Sequence, residues 1–558
     1  MMAMSQALIE LLNCWEKGFL PNLPDTILRD RIPVVLIGVL IQTLQSQNPD
    51  GSWGSVASGE QTSYAVMTLA SISSLPWFKQ FQHQLKAAID RGRDFIRQAD
   101  VGSSKPEYLW IGKVTYGMTF VSQSYILAAL NLTWPTRQLG PKVDNLVDVP
   151  VERTTEFTSF YSKLPLFSST PSWMIQASVV EGYFFLPYLK RIRLDVFPRR
   201  GMKEDKYFEF IPSSWTSPSR LNGASCSPRN LLDLMIISLL TYQVDEYMEA
   251  VVGKYFTDSI DNVRRAVDVA LANSQTYSNG ATGSSDQTQE SHERNGVTTK
   301  SGDSKDVADL VNLDETPISL EEVQITLGHF TTRIMQNDGV KKASRYDQEN
   351  LRGELRAFLF AHLVSVEENA RLSKQDPSRS DITPFRSPSG TFFEWVRSTA
   401  ASHVACKPSF VFLSCLVAQE NLECFPGAEE KYFAQDLNLH LATMTRMYND
   451  YGSLARDRLE RNLNSLNFPE FCDGNENCRT NDDGAKAHSQ DALELELKSK
   501  LLRLAEYERD CCKKALNHLD KLLEKRVTKA LTSFSNTAEL YGQLYVVRDI
   551  SSRMQQNG

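Results

Sequence analysis

A first group of acidic residues follows an apolar stretch. The run Leu231–Leu240 predicts a buried helix. Asp245, Glu246 and Glu249 come just after it, and the i, i+4 spacing places Asp245 and Glu249 on one helix face. Such like charges are disfavoured without a cation, and hard carboxylate oxygens suit Mg²⁺. By itself this pattern is more often an ordinary charged helix end.

A second group combines three kinds of oxygen-bearing side chain. Asn449, Ser453 and Asp457 stand at i, i+4 and i+8 in the sequence NDYGSLARD, so an amide, a hydroxyl and a carboxylate line one helical stripe. A solvated helix face could show this spacing by chance, but the combination of types is rarer than a run of charges. We interpret it as a metal site.

The composition is that of a globular protein without an affinity for nucleic acids. The chain has 558 residues, of which 41% are hydrophobic, 10% aromatic and 23% charged. At about 100–200 residues per domain, this length predicts two to four folding units. The net charge of −8 argues against a general nucleic-acid binder.

Helical periodicity organises the elements that must position these residues. Residues 1–140 form the first predicted domain, with apolar helical stretches at Ile32–Gln45, Ser63–Leu75 and Phe120–Leu130. The proline-rich stretch Thr133–Pro150 predicts a junction, so a larger helical domain is expected over residues 151–558.

Two polar stretches interrupt the second domain. The segments at about 274–304 and 473–490 contain few large apolar residues, and we expect both to be disordered loops. Between Asp491 and Arg526, apolar residues recur at helical spacing and predict one long amphipathic helix.

Cysteine usage and the N-terminal sequence predict a cytoplasmic protein. The nine cysteines show no disulfide framework. The pairs Cys472/Cys478 and Cys511/Cys512 lack the spacing of a zinc site. Met1–Trp15 lacks the pattern of a signal or transit peptide. No membrane span is expected, because the apolar run Ile32–Leu44 is shorter than the roughly 20 residues that one requires.

The two acidic groups resemble the metal motifs of class I terpene synthases. NDYGSLARD matches every specified position of that family's second motif, and Asp245–Glu249 (DEYME) resembles its aspartate-rich motif in the Asp-Glu-x-x-Glu form of fungal bifunctional copalyl diphosphate/kaurene synthases. Gln47–Ser55 (QNPDGSWGS) looks like the glycine-tryptophan repeat of the helical barrel in related cyclases, and is also typical of an ordinary turn beside a packing aromatic residue. Further stretches similar to the fungal diterpene cyclases are Tyr108–Gly117, Glu181–Arg199, Glu204–Trp215 and Leu544–Ile550.

The resemblance implies an all-α fold and a metal-dependent site. The fold would be a class I terpenoid synthase helical bundle preceded by a reduced helical-barrel (β-type) domain. A cluster of three magnesium ions would bind the substrate diphosphate. The metal ligands carried over are Asp245, Glu246, Glu249, Asn449, Ser453 and Asp457.

Arginines and aromatic residues complete the predicted site. The diphosphate-binding arginines carried over are Arg397, Arg446, Arg456 and Arg548. A surface ion pair is the alternative for Arg446, and Tyr545 accompanies Arg548 near the C-terminal end. Tyr242, Phe392 and Trp395 are candidates for lining the carbocation cavity, although buried aromatic residues are more often simple core.

The function implied is that of a diterpene cyclase of secondary metabolism in fungi. It would ionise geranylgeranyl diphosphate or copalyl diphosphate and cyclise the carbocation. The alternatives are a sesquiterpene cyclase that uses farnesyl diphosphate and a non-catalytic isoprenoid-binding protein. The chain contains no Asp-x-Asp-Asp sequence for alkene protonation, so we expect a monofunctional enzyme. Both a monomer and a homodimer stay open.

Overall fold

The protein is almost entirely helical over the residues that the structure describes. The computed structural model describes residues 1–54, 58–98, 109–111, 114–134, 138–197, 207–208, 210–279, 318–375, 384–472 and 487–547. Within these ranges, strands occur in one antiparallel two-stranded ladder, in which β1 (Leu109–Ile111) pairs with β2 (Val114–Tyr116). The predicted all-α class is confirmed, with this ladder as a small addition.

The first part of the chain folds into helices close to those predicted. The helix at Ile32–Gln45 has the predicted bounds, and most of its side chains are buried. The helix predicted from Ser63 begins earlier, at Gly59, because the Ser58 hydroxyl accepts a hydrogen bond from the Gln61 N–H and caps it. The helices of this part are α1 (Met2–Glu16), α2 (Ile32–Gln45), α3 (Gly59–Ile72), α4 (Gln82–Gln98), α5 (Thr119–Asn131) and α6 (Pro141–Asp144).

The glycine-tryptophan segment after α2 is a tight turn that anchors an aromatic residue. Gly51 has a φ of +88°, and a Cβ atom there would lie 2.6 Å from the carbonyl oxygen of Arg91. Trp53 is buried, and its indole N–H donates a 2.7 Å hydrogen bond to the Thr43 carbonyl. The segment therefore has the structure of a turn beside a packing aromatic residue.

The second part supplies the long helices on which the candidate site lies. A π-helical turn, Met248–Val252, continues α10, and a second π-helical turn, Val396–Ala400, joins α16 to α17. The helices are α7 (Val151–Tyr161), α8 (Ser172–Ile192), α9 (Ile211–Leu221), α10 (Pro228–Tyr247), α11 (Gly253–Tyr255), α12 (Ile260–Asn279), α13 (Leu320–Met335), α14 (Asp338–Lys342), α15 (Arg345–Gln375), α16 (Phe392–Trp395), α17 (Ala401–His403), α18 (Cys406–Val417), α19 (Ala428–Glu460), α20 (Pro469–Cys472), α21 (Ala487–Leu522) and α22 (Lys525–Val547).

The two parts share buried surface. Helix α2 packs against α8, and the ring of Trp77 meets that of Phe184 at 6.1 Å in an edge-to-face contact. Most of their buried apolar residues belong to one core that spans both parts, and a smaller second cluster lies in the second part. The division at residues 140–151 therefore stays a prediction, and the short helix α6 lies inside the predicted junction.

The polar stretches are shorter than predicted. Helix α12 continues to Asn279, and α21 begins at Ala487, so both predicted loops lose residues to helices. The rest of each stretch, 280–304 and 473–486, lies outside the described residues. The long amphipathic helix ends at Leu522, and α22 begins at Lys525, so the predicted single helix up to Arg526 is wrong at its C-terminal end.

None of the described helices is by itself long and apolar enough to cross a membrane. The pair Phe392–His403 and Cys406–Val417, bent by 56°, passes that test together by length and composition.

Candidate functional site

The first acidic group lies where α10 passes into the π-helical turn Met248–Val252. The Ser227 hydroxyl caps α10 at its start, and apolar side chains bury the helix as predicted. Asp245 lies in its last turn, and Glu249 lies in the π-helical turn. The negative charge of Asp245 raises the pKa of Glu249, so the two carboxylates are neighbours. Glu246 is half-buried next to Asp245.

The second group lies on α19 and is fixed by the loop that follows this helix. The Ser453 hydroxyl donates a 2.6 Å hydrogen bond to Asp457 Oδ2. Asn464 Nδ2 donates 2.8 Å hydrogen bonds to the same oxygen and to the Asp450 carbonyl. Ser453 and Asp457 are buried and Asn449 is half-buried. The amide of Asn464 therefore completes a network that begins with the predicted residues.

A left-handed residue brings this loop back to the helix. Arg461, with a φ of +70°, ends α19 in the αL conformation. The backbone N–H and the hydroxyl of Ser465 then donate hydrogen bonds of 2.9 and 2.5 Å to Asp450 Oδ2. The motif residue Asp450 thus ties the loop to α19.

The two acidic groups lie close to each other in the folded protein. The side-chain amide of Asn462 lies 3.5 Å from Glu249 Oε1 and links the loop after α19 to the first group. Burial raises the pKa of both Asp245 and Glu249. The positive charges of Arg456 and Arg446 on α19 lower the pKa of Asp245, and the negative charge of Asp457 adds to the rise for Glu249. The two groups therefore influence each other's charge and form one electrostatic unit. Their spacing in the sequence alone could not establish this.

The carboxylates of this unit have raised pKa values. Burial raises the pKa of Asp245 to about 6, against the opposing effect of Arg456 and Arg446. Burial and the charges of Asp245 and Glu460 raise the pKa of Glu249 to about 8. Burial and the charge of Asp450 raise the pKa of Asp457 to about 6.

These carboxylates line a concave surface. The side chain of Asp245 is 44% exposed and Glu249 is also exposed, yet burial is the largest cause of the raised pKa of each. We infer a recess that is walled by protein and open to water. A cluster of oxygen donors whose negative charges destabilise one another fits a hard divalent cation.

Two of the four predicted arginines lie at this recess. Arg446 is buried, with Nε 2.8 Å from Asp450 Oδ1 and Nη2 donating a 3.0 Å hydrogen bond to the Leu463 carbonyl. Its guanidinium lies 5.1 Å from the centre of the Trp395 ring. Arg446 is thus a buried, oriented cation, and the surface ion pair is wrong. Arg456 is a third exposed, and its Nη2 is 4.0 Å from Asp457 Oδ1.

The other two arginines are differently placed. Arg397 Nη2 donates a 2.5 Å hydrogen bond to Glu508 of α21, and its guanidinium lies 4.9 Å from the Phe393 ring. Trp395, two residues earlier, faces Arg446, so the helix directs Arg397 to its other side. The role of Arg397 at the diphosphate stays a prediction. Arg548 lies outside the described residues.

Two histidines that the sequence analysis did not select lie beside Asp245. His362 Nδ1 of α15 is 3.7 Å from Asp245 Oδ1, and the ring centres of His362 and His403 are 4.0 Å apart. Burial lowers the pKa of His362 to about 3 and that of His403 well below its ordinary value. The sequence feature that could have identified His362 is its position inside the apolar run Phe358–Leu363.

The predicted aromatic residues divide between the recess and the core. Tyr242, one turn before Asp245, stacks on Tyr207 with ring centres 4.6 Å apart. Trp395 packs against Arg446, as described above. Phe392 packs edge-on against Phe471 at 4.9 Å and belongs to the core.

Comparison with known proteins identifies relatives of the whole chain. A pimaradiene synthase of Emericella nidulans is 36% identical over an alignment of 563 positions, which covers 98% of this chain and 54% of that protein. A bifunctional ent-kaurene synthase of Gibberella fujikuroi is 33% identical over 99% of this chain and 55% of its own length. A phyllocladan-16-alpha-ol synthase of Phomopsis amygdali is 32% identical over 99% and 55%.

The alignments cover this chain and its relatives to different extents. No family model matches the sequence. The chain spans about half the length of the curated relatives that it matches. With identities of 32–36% over nearly all of its residues, the chain is similar to part of each of these fungal diterpene synthases, as expected for a member of the terpene synthase family.

Proposed function

We propose that this chain is a magnesium-dependent class I diterpene synthase. It would ionise geranylgeranyl diphosphate or copalyl diphosphate, cyclise the carbocation and release diphosphate. The observation that carries the proposal is the electrostatic unit of Asp245 on α10, Glu249 in the π-helical turn that continues it, and Asp457 on α19. Such a unit suits divalent cations that bridge protein and diphosphate oxygens.

The residues of the recess have distinct roles in this proposal. Asp245, Glu249, Asn449, Ser453 and Asp457, with Glu246 beside them, would supply oxygen ligands for three magnesium ions. When bound, divalent cations neutralise the charge that grows on the leaving diphosphate.

The arginines would orient the diphosphate. Arg456 is partly exposed at the recess, so its guanidinium can meet phosphate oxygens in a bidentate contact. Arg446 is held by Asp450 and by the Leu463 carbonyl, so it presents a fixed positive charge to the same region. Pre-oriented cations of this kind stabilise a leaving anion without reorganising during the reaction.

Aromatic faces near the carboxylates would protect the carbocation. The stacked pair Tyr242 and Tyr207 lies one helical turn from Asp245, and Tyr541 approaches the same cluster through Phe210. Aromatic π faces stabilise positive charge, and an apolar wall excludes water that would quench the cation.

The names of the relatives bear on the substrate. They are a pimaradiene, an ent-kaurene and a phyllocladanol synthase. These names favour a C20 substrate over farnesyl diphosphate. Whether the substrate is linear or already bicyclic, and whether the active protein is monofunctional, stay predictions, as do the cytoplasmic location and the oligomeric state.

A product assay tests the proposal. Purified protein is incubated with Mg²⁺ and, separately, farnesyl, geranylgeranyl and copalyl diphosphates, and hydrocarbons are measured by gas chromatography with mass spectrometry. We expect a product from one C20 substrate that disappears with EDTA and falls at least 100-fold in Asp245→Asn, in line with the loss of one preorganised electrostatic group.

A matched variant separates loss of chemistry from loss of fold. Asp233 lies on the same helix, three turns before Asp245, and near Arg229 rather than the recess. Asp233→Asn should keep its activity. Folded wild-type protein that binds a C20 diphosphate and forms no product would instead support the isoprenoid-binding protein.

A further inference from the structure

We propose that Asp245, His362 and His403 form a mixed oxygen and nitrogen site for one divalent transition-metal ion at the α10 side of the recess. The inference rests on the proposed function, because Asp245 belongs to the predicted magnesium site. It goes beyond that function by adding two nitrogen ligands, from α15 and α17, that make one metal position chemically different from the others.

The geometry brings three ligand atoms together. One atom from each of Asp245, His362 and His403 lies within 4.8 Å of the other two. Ligands that share an ion at bond lengths of roughly 2.1 Å lie roughly 3 to 4.2 Å apart. The pair His362 Nδ1 and Asp245 Oδ1, at 3.7 Å, is already within that range. The other pairs, at no more than 4.8 Å, exceed that range by at most about 0.6 Å.

The imidazole of His362 is not satisfied by the protein. Its side chain is 2% exposed, and its buried Nε2 atom has no hydrogen-bond partner among the residues that the structure describes. Its Nδ1 atom is too far from Asp245 for a hydrogen bond. The edge-to-face contact with Phe358, at 4.7 Å, and the ring of His403 fix the orientation of this ring. An ion bound between Nδ1 and the Asp245 carboxylate would give this side of the ring a partner.

The surrounding charges allow a cation at this position. Besides burial, the positive charge of Arg446 lowers the pKa of both histidines, and by itself it would repel a metal ion. Its charge is compensated by Asp450 at 2.8 Å. The negative charge of Glu460 also acts at Asp245 and would add attraction for a cation. The local balance therefore favours a bound cation.

The donor set determines the metal class. Mg²⁺ takes oxygen ligands, whereas imidazole nitrogens favour first-row transition ions. One carboxylate with two imidazoles leaves positions open for water or diphosphate oxygens. The site should therefore prefer Mn²⁺ or Co²⁺ over Mg²⁺, and we expect the His403→Gln variant to lose at least tenfold in Mn²⁺ affinity.

Pulsed electron paramagnetic resonance of the protein with Mn²⁺ alone reports the ligands directly. Wild-type protein should show the modulation of coordinated nitrogen, and labelling with ¹⁵N-histidine should change it to the ¹⁵N pattern. His362→Gln and His403→Gln should each reduce the nitrogen signal. His329→Gln, an exposed histidine on α13, should leave it unchanged. Circular dichroism confirms that each variant is folded.

The outcomes separate this inference from the proposed function. If Mn²⁺ binds without nitrogen coupling, or if coupling persists when both histidines are replaced, the mixed site is wrong while an oxygen-ligated site still stands. If folded wild-type protein binds no Mn²⁺ at all, both the mixed site and the proposed metal-dependent function fail.

Discussion

Asn464 holds the carboxylate of the second group in position. It donates 2.8 Å hydrogen bonds to Asp457 Oδ2 and to the Asp450 carbonyl. We expect Asn464→Ala to lower Mg²⁺ affinity roughly 10- to 100-fold, because partners that orient a metal ligand contribute about that much. Isothermal titration with Mg²⁺ measures it. The exposed Asn131→Ala on α5 is the control, and an unchanged affinity in Asn464→Ala would mean that Asp457 is not a ligand.

Glu249 gives the metal-free protein a specific pH dependence. Its pKa rises from 4.5 to about 8 in the folded state, so the folded protein holds the proton more tightly than the unfolded chain. The stability that this contributes is present below about pH 4.5 and is lost as the pH rises towards 8. In EDTA, the melting temperature should therefore fall between pH 5 and 8.

The variant Glu249→Gln removes this titration. Its melting temperature should fall less between pH 5 and 8 than that of the wild type, and Mg²⁺ should no longer stabilise it to the same extent. Differential scanning fluorimetry at constant ionic strength compares the two proteins. Identical pH profiles would contradict the cause assigned to the raised pKa of Glu249.

Sequence spacing anticipated part of this site. The helical repeat placed Asp245 with Glu249, and Ser453 with Asp457, because residues four apart share a face. It could not connect Asn464 or His362 to them, since those contacts depend on how the loop after α19 and the helix α15 pack. Long-range packing has no local sequence signature.

At the level of elements, Gly452 lets α22 lie directly against the second group of site residues on α19. A Cβ atom on Gly452 would come within 2.6 Å of the Tyr545 carbonyl oxygen, which is backbone and cannot move alone. Gly452→Ala should destabilise the protein by about 1–3 kcal/mol through overpacking and reduce turnover. Urea unfolding and the product assay measure both effects.

A glycine with open space is the matched control for this substitution. Gly353 lies within α15, and a Cβ atom there would meet nothing within 4 Å. Gly353→Ala should stabilise the protein by about 0.5–1 kcal/mol, because glycine is unfavourable inside a helix. Equal effects at the two positions would show that the approach of α22 is not close.

Helix positions were more predictable than helix irregularities. Apolar periodicity located α2 to the residue, since that helix is buried on nearly every side. The π-helical turns Met248–Val252 and Val396–Ala400 carry no comparable pattern. Both lie beside the recess, where such turns often occur in functional sites. Arg397 lies in the second of these turns, so the sequence did not predict the direction in which its side chain points.

At the level of the whole molecule, a buried ion pair lies near the contact between the two predicted domains. Arg220 Nε donates a 2.7 Å hydrogen bond to Glu181, and both side chains are nearly inaccessible. A Cβ atom on Gly38 of α2 would lie 3.6 Å from Arg220. Arg220→Ala should cost about 3–5 kcal/mol, because it leaves Glu181 buried and unpaired.

The mode of unfolding distinguishes one core from two. Because the larger cluster of buried apolar residues spans both parts of the chain, Arg220→Ala should lower a single thermal transition that the two parts share. Calorimetry together with tryptophan fluorescence follows it. Two separate transitions, only one of them shifted, would support independent domains before and after residues 140–151.

We propose that the carboxylates of α10, of the π-helical turn that follows it and of α19 bind one set of divalent cations together with a diphosphate. Titration of inorganic diphosphate into the protein, with and without Mg²⁺, tests it most directly in wild type, Asp245→Asn, Asp457→Asn and the double variant. We predict Mg²⁺-dependent binding that each single variant weakens at least tenfold and that the double variant weakens little further, because coupled sites are not additive. Diphosphate binding that is independent of Mg²⁺, or losses that simply add, would contradict a shared site.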